Sequence, residues 1–360
     1  MREKHIAVLG CSGFIGSHIL HYLLKNTDYF ITGIDIHHAR IDNLKDHPRL
    51  SFVASDIYSE QELLRDTISR CSIVISLAAL CNPSLYITTP VEVIESNYIK
   101  PYQILQLCAQ YGSWLIHFST CEVYGKSKEA LLKNASCGSG GVPDIFIEDH
   151  TQMIVGPVQA QRWCYAVAKQ LYERTLYAWG IQKGLNYTII RPFNFIGPRM
   201  DYIPGVDGEG VPRVMACFMK ALLSGTPLKL VDGGLSRRCF TYIDDAVEAV
   251  AAILRNPDDS KNQIFNIGNP ANEIMIQELA HLMITIYSEL AADKSTMAGT
   301  VEEVSSREFY GEGYEDSDRR IPNIDKAMKL LNWHPKVNLE TALRMTIQSY
   351  IYQYGQIGSI

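Results

Sequence analysis

Ile6-Ala7-Val8-Leu9-Gly10-Cys11-Ser12-Gly13-Phe14-Ile15-Gly16 is the stretch from which the rest of the chain is read. Four apolar residues run into three glycines, and an amphipathic segment continues to about Lys25, the pattern of a strand, a tight turn and a helix. In such a unit Gly10 permits the turn, Gly13 lets backbone approach a pyrophosphate, and Gly16 lets the helix pack on the strand. Phe14 and Ile15 open the helix, whose N-terminus attracts the anion. A second strand, Phe30 to Ile36, carries Asp35 about twenty residues after the glycines. A carboxylate there accepts hydrogen bonds from ribose hydroxyls and repels a 2′-phosphate, which favours NAD over NADP, although Arg40 close by pulls the other way.

The alternation continues downstream. Phe52 to Ile57 reads as a third strand ending at Asp56, which either meets the adenine or caps a turn. Ser72 to Ala79 reads as a fourth, and Leu77, Ala78 and Ala79 at its end let a cofactor lie against backbone, with Cys81 just beyond. A helical pattern spans Pro90 to Gln110, in which Asn97 is placed to brace the active-site backbone. Trp114 to Phe118 is a fifth strand, delivering Ser119, Thr120, Cys121 and Glu122 to the carboxyl edge where ligands bind in such folds. Residues 126 to 160, with Gly138-Ser139-Gly140-Gly141, Pro143 and Pro157, break the pattern and read as a lid or a disordered tip. A helix from Arg162 to about Trp179 and a sixth strand from Tyr187 to Arg191 follow.

These periods predict an α/β chain, a Rossmann-type doubly wound parallel sheet with a smaller, interleaved C-terminal substrate-binding domain. The expected division is residues 1–200 for the NAD-binding domain and 201–360 mainly for the second, with about 235–268 returning to the first.

Tyr165 and Lys169 stand four residues apart, so on a helix both side chains rise from one face, about 6 Å apart at Cβ. A tyrosine hydroxyl titrates near pH ~10, and a nearby ammonium favours its phenolate, a better base at neutral pH. The pair is common by chance, and its weight comes from lying downstream of a strand that ends in Ser119-Thr120.

With 360 residues, 47% hydrophobic, the chain can bury a large core. A formal charge of -6 argues against nucleic acid or an anionic membrane as partner. No apolar run is long enough to span a bilayer and the start lacks a secretory segment, so a cytoplasmic protein is expected. Nine scattered cysteines suggest free thiols, and no Cys or His cluster suggests a metal.

The glycine spacing is similar to that of the extended short-chain dehydrogenase/reductases. The runs His117-Phe-Ser-Thr-Cys-Glu-Val-Tyr-Gly125, Gln161-Arg-Trp-Cys-Tyr-Ala-Val-Ala-Lys169, Arg191 to Gly208, Leu228 to Gly234 and Glu308 to Pro322 narrow the likeness. They resemble the UDP-apiose/UDP-xylose synthases, within the group that decarboxylates UDP-glucuronate, over nearly the whole chain. A more distant likeness is to the UDP-glucuronate decarboxylase domain of the polymyxin-resistance protein, which has serine where Cys121 stands, so Cys121 and Cys81 tilt the choice. The start is shorter than in the plant enzymes, and the 126 to 160 insert matches poorly.

The resemblance implies a carboxy-lyase that oxidises UDP-glucuronate at C4 with tightly held NAD, loses CO₂ and yields UDP-apiose with UDP-xylose as second product. It implies Tyr165 as base at the C4 hydroxyl, Lys169 as its electrostatic partner and nicotinamide-ribose anchor, and Thr120 as hydrogen-bond partner of the reacting oxygen. Glu122 and Arg162 would handle substrate hydroxyls and the carboxylate, and Cys81 and Cys121 would donate and accept protons during ring contraction. For the nucleotide half the expectation is Arg238 and Arg320, with Asn194, Arg213, Lys229 and Tyr310 near them, Arg319 being the alternative to Arg320. Homodimerisation through the helices at 90–110 and 161–179 is expected. The other readings are a decarboxylase giving UDP-xylose or a UDP-4-keto-pentose only, a C4 epimerase, and a non-catalytic NAD-binding sensor. The presence of both Tyr165 and Lys169 speaks against the sensor.

Overall fold

The computed structural model describes residues 4–126, 145–208, 211–291, 299–310 and 317–355. Fifteen strands, numbered β1 to β15 along the chain, form one large sheet and three small ones. The large sheet contains β1 (His5–Leu9), β2 (Phe30–Asp35), β3 (Leu50–Ala54), β4 (Ile73–Ser76), β5 (Trp114–Phe118), β7 (Tyr187–Pro192) and β12 (Gln263–Ile267). Every pairing in it is parallel, in the order β12-β7-β5-β4-β1-β2-β3.

Alternation along each strand fills two layers. Ile6 and Val8 face the Phe14–Asn26 and Ile243–Arg255 helices, while Ala7 and Leu9 face the Gln61–Arg70, Tyr102–Tyr111 and Cys164–Lys183 helices. The chain runs outward from β1 through β3 and then restarts with β4 on the other side of β1. That reversal opens a crevice beyond the carboxyl ends of β1 and β4, where ligands bind in such sheets.

The smaller sheet, in the order β13-β10-β15-β6, joins Glu273–Met275, Arg237–Cys239, Arg319–Pro322 and Ile145–Phe146. Two ladders complete the set, β8 (Phe195–Ile196) with β11 (Thr241–Tyr242) and β9 (Leu228–Val231) with β14 (Val301–Val304).

Several boundaries differ from the sequence reading. β3 stops at Ala54, where its partner β2 ends at Asp35, and β4 stops at Ser76, where the turn after β1 begins at Gly10 and the Leu9 carbonyl takes both the Leu77 and Ala78 N–H groups. The segment expected as one helix is Pro90–Ile94, a π turn over Glu95–Ile99 and a new helix from Tyr102 after Pro101. Widening of the turn is supported by Asn97, whose amide donates to the Val93 carbonyl at 2.8 Å and to Leu80 at 2.9 Å. The Cys164–Lys183 helix runs past Trp179 until Gly184, at φ 67°, caps it.

Of the expected lid, residues 127–144 lie outside the described residues, Gly138 to Gly141 and Pro143 among them. The end that follows is built into the fold, β6 pairing with β15 and the Glu148 carboxylate accepting the Asn266 N–H at 2.8 Å. Among the described residues no helix is long and apolar enough to cross a membrane.

Candidate active site

The glycine turn has the shape a dinucleotide needs. Gly10 sits at φ +86°, and a Cβ there would lie 2.8 Å from the Ala78 nitrogen; one on Gly16 would lie 2.2 Å from the Gly10 carbonyl. Gly13 is open on its outer side, a Cβ meeting only the Gly10 oxygen at 3.4 Å. Backbone therefore stays close where helix meets strand and accessible where a pyrophosphate would lie. Asp35, at the end of β2, accepts the Ser12 N–H at 2.8 Å, and its side chain is not fully buried. These features fit NAD. Arg40 donates to the Arg199 carbonyl at 2.9 Å, so it is engaged with the chain itself. Asp56 is exposed beyond β3 and accepts the Tyr58 N–H at 2.9 Å, the turn-capping alternative, while Ile57 is buried behind it. Leu77 to Ala79 border the turn and Asn97 braces Leu80, one residue before Cys81.

Tyr165 and Lys169 lie on the helix as the spacing requires, both buried. The Tyr165 phenol hydrogen-bonds Thr120, and its ring stacks on Tyr86 at 5.0 Å between centroids, with an angle of 9° between planes. Burial pushes this phenol well above its ordinary value, and neighbouring Cys81 and Glu122 add to the rise. Lys169 donates to the Phe118 carbonyl at 3.0 Å, and burial pulls it down to about 8. Lys169, one helical turn from Tyr165, is thus held against the end of β5, and burial opposes ionisation of the phenol.

Glu122 and Arg162 form a two-pronged ion pair at 2.6 and 3.1 Å, and Arg320 approaches the same carboxylate at 3.6 Å. Arg162 also lies 5.3 Å from the Tyr86 ring centroid, so this unassigned tyrosine is gripped between Tyr165 and Arg162. Cys121 is buried and hydrogen-bonds Arg320; burial pushes its thiol up, Arg320 opposing. Cys81 opens to water but is walled in closely enough that its thiol is also pushed up, with Arg213 opposing.

Glu122 and Arg162 line a cavity of about 550 Å³ whose other walls carry Asn194, Arg213, Lys229, Arg238, Tyr310 and Arg320. All six residues expected from sequence for the nucleotide half are therefore together. Strand alternation separates the adjacent arginines of β15. Arg319 turns to Glu273, at 2.6 and 2.8 Å, while Arg320 turns to the cavity. Arg213 is held by Asp201 at 3.0 and 2.8 Å. Asn194 adopts φ 41° and donates to the Cys239 carbonyl at 2.9 Å, which fixes its place at the cavity rim. Cys81, Thr120, Cys121, Tyr165 and Lys169 are not among the residues lining this cavity; Glu122, which does line it, acts electrostatically on Cys81, Cys121 and Tyr165.

Sequence reasoning missed a buried network beneath this site. Arg191 grips Glu173 at 3.0 and 2.6 Å and donates to the Tyr124 hydroxyl at 2.7 Å, which donates on to Asn266 at 2.8 Å. A charged residue closing the apolar run Tyr187-Thr-Ile-Ile-Arg191 was the available signal.

A crevice beside the glycine turn at a strand-order reversal and a cavity lined by arginine and lysine side chains define a class, and the chain belongs to it. It is a member of the NAD dependent epimerase/dehydratase family, whose pattern matches residues 6–268. It is similar to the UDP-D-apiose/UDP-D-xylose synthase of Oryza sativa subsp. japonica, with 44% identity over 352 residues, 95% of this chain and 88% of that protein. Its likeness to UDP-D-apiose/UDP-D-xylose synthase 1 of Arabidopsis thaliana is 43% over 351 residues, 95% and 90% of the two chains. Among solved structures, the PbgP3 protein from Burkholderia pseudomallei is 32% identical with a TM-score of 0.82, covering 97% of this chain and 96% of that one.

Proposed function

We propose that this chain converts UDP-glucuronate to UDP-apiose, with UDP-xylose as second product. The observation that carries the reading is the cavity itself. Arg162, Arg213, Arg238, Arg320 and Lys229 converge on one space beside the Tyr165–Thr120 pair, a cation count suited to a diphosphate plus a sugar carboxylate. The similarity to named synthases over 95% of the chain supports the same reading.

The Gly10–Gly16 turn and Asp35 would hold NAD, which would supply the hydride acceptor for the sugar. Tyr165 takes the proton from the C4 hydroxyl, and Thr120 holds phenol and sugar oxygen in register. The phenol accepts that proton only as phenolate, the form that the ammonium of Lys169, one helical turn away, favours against the burial that opposes it. With a ketone at C4 the sugar is a β-keto acid. CO₂ leaves C5, the electron pair passes into the ketone as an enolate, and C5 then takes a proton from water, which restores the ketone.

Arg162 holds the carboxylate before it leaves, its fork on Glu122 showing the geometry such a group would take. Direct return of the hydride to C4 then gives the pentopyranose. For the branched product the C2–C3 bond opens. The C2 hydroxyl gives up its proton, C2 becomes an aldehyde, and the pair rests on an enediolate over C3 and C4. C4 then attacks C2, the C2 oxygen regains a proton, and C3 is left as an aldehyde branch that takes the hydride. Cys81, Cys121 and Glu122 carry these protons.

The division of the chain follows. Residues 1–200 with the return at about 235–268 serve the cofactor, and the remainder serves the nucleotide. The chain also pairs with a second copy of itself, because Val91, Ile99, Val167, Leu171 and Ile181 expose apolar side chains on the helices that flank Tyr165.

The test is purified protein with UDP-glucuronate and NAD, products read by ¹H NMR, with Tyr165→Phe and Cys121→Ser beside it. Tyr165→Phe should lose about 10³-fold in rate, the scale of a lost acid–base group. Cys121→Ser should shift the products toward xylose. A wild type that makes no branched pentose sinks the reading.

A further inference from the structure

The segment Arg199 to Gly208 stands out in the sequence, yet the chemistry above gives it no task beyond Asp201's hold on Arg213. We propose that Tyr202 is a positioning residue that holds Cys81 in register with the nucleotide end of the cavity, through Asn82; the role rests on the ring-contraction reading given above.

Cys81 and Asn82 lie in the loop after β4, beyond the last bonds to β1 at Leu77 and Ala78. Two tyrosines fix them instead. The Tyr86 hydroxyl donates to the Cys81 carbonyl at 3.0 Å, and the Asn82 amide donates to the Tyr202 hydroxyl at 2.8 Å, across 120 residues of chain. The other end of the Asn82 amide is used as well, its oxygen accepting the Ser84 N–H at 3.1 Å and the Ser84 hydroxyl at 2.9 Å. Turning the amide over would set its NH2 against the Ser84 N–H, so the amide oxygen faces Ser84 and the Tyr202 hydroxyl is the acceptor.

Tyr202 is itself held. Its ring lies so close over Gly208 that a Cβ there would sit 2.4 Å from ring atoms, and the Gly205 N–H closes the loop on the Gly208 carbonyl at 2.8 Å. From outside, the Leu339–Tyr354 helix clamps the loop. Tyr350 donates to the Asp201 carbonyl at 3.2 Å, and Tyr354 donates to Asp207 at 2.7 Å, whose other oxygen takes the Ile203 N–H at 2.7 Å. Asp201, the neighbour of Tyr202, carries the cavity arginine Arg213. A continuous line therefore runs from a cation at the cavity wall to the Cys81 backbone.

Cys81 serves the contraction branch, and direct hydride return does not need it. Loosening Asn82 should thus alter the choice of product more than the rate of decarboxylation. Tyr202→Phe keeps the ring over Gly208 and removes only the hydroxyl. The full chain with NAD is given UDP-glucuronate, and apiose and xylose signals are integrated. In parallel, alkylation of Cys81 by iodoacetamide is timed by peptide mass spectrometry.

The expected result is a fall of about fivefold in the apiose-to-xylose ratio, the scale of one lost hydrogen bond, with summed pentose output changing far less. Alkylation of Cys81 should speed up about threefold as the loop loosens. A ratio within twofold of wild type overturns the role. So does a lower ratio with unaltered alkylation, because the hydroxyl would then act on substrate rather than through Cys81. A wild type without branched pentose overturns the parent reading and this role together, whereas the other failures touch this role alone.

Discussion

Two arginine–glutamate forks of nearly equal geometry each draw one partner, Arg162 or Glu173, from the helical stretch Gln161 to Lys183, and their surroundings give them opposite work. Arg191 holds Glu173 at 3.0 and 2.6 Å, and Arg162 holds Glu122 at 2.6 and 3.1 Å. The first is sealed. Its side chains are 2% and 4% exposed, and the remaining donors of Arg191 go to the Tyr124 hydroxyl and the Glu148 carbonyl. The second opens on the cavity, Glu122 being 14% exposed and shared with Arg320. A saturated pair locks a helix to a strand; a pair with an open side can trade one partner for a substrate carboxylate.

The largest effect should come from breaking the sealed fork. Glu173→Leu leaves a buried guanidinium uncompensated and should cost about 3–5 kcal/mol in urea unfolding, with the product ratio of the folded fraction unchanged. A loss under about 1 kcal/mol would remove the distinction between the pairs. Next, Arg162→Lys keeps the charge but not the fork, and should lower kcat/KM about 100-fold while stability falls much less. Equal loss of stability in both variants would show that the open pair is structural too.

Lys169 sharpens the comparison as a buried cation with no fork. Its native pKa of about 8 lies below the ordinary lysine value, so burying the charge costs stability at every pH below 8. As pH rises from 8 towards 10 the native state has lost the proton and the unfolded chain still holds it, so that cost fades. Wild type should therefore gain about 2 kcal/mol on Lys169→Met between pH 8 and 10. Parallel unfolding curves at the two pH values would contradict the assignment. The smallest effect belongs to Arg319→Ala, which breaks the half-open pair with Glu273 and should cost about 1 kcal/mol or less, with kcat/KM within twofold.

What the sequence made legible has a physical pattern. The large sheet was readable because each strand is a short apolar run ended by glycine or small residues, and the Tyr165–Lys169 pair because a helix puts both on one face. The strand ends were overrun at Ala79 because an apolar run does not reveal where the neighbouring strand stops. The cavity arginines come from residues 162, 213, 238 and 320, a grouping that no spacing encodes and that only the likeness of whole motifs supplied. Tyr86 and Tyr202 stayed invisible for a related reason. Their partners, Tyr165 and Asn82, lie 79 residues downstream and 120 residues upstream, so their value exists only in the folded chain.

The return of the chain at β12 has a consequence for anyone who would divide the molecule. β12 covers the outer side of β7, with five residues in register from Gln263↔Thr188 to Ile267↔Pro192. A fragment cut at residue 200 would leave that row of amides and carbonyls bare on an apolar strand, a template for self-association. The large sheet is thus not a separable part: it is finished only after the chain has already built β8 to β11.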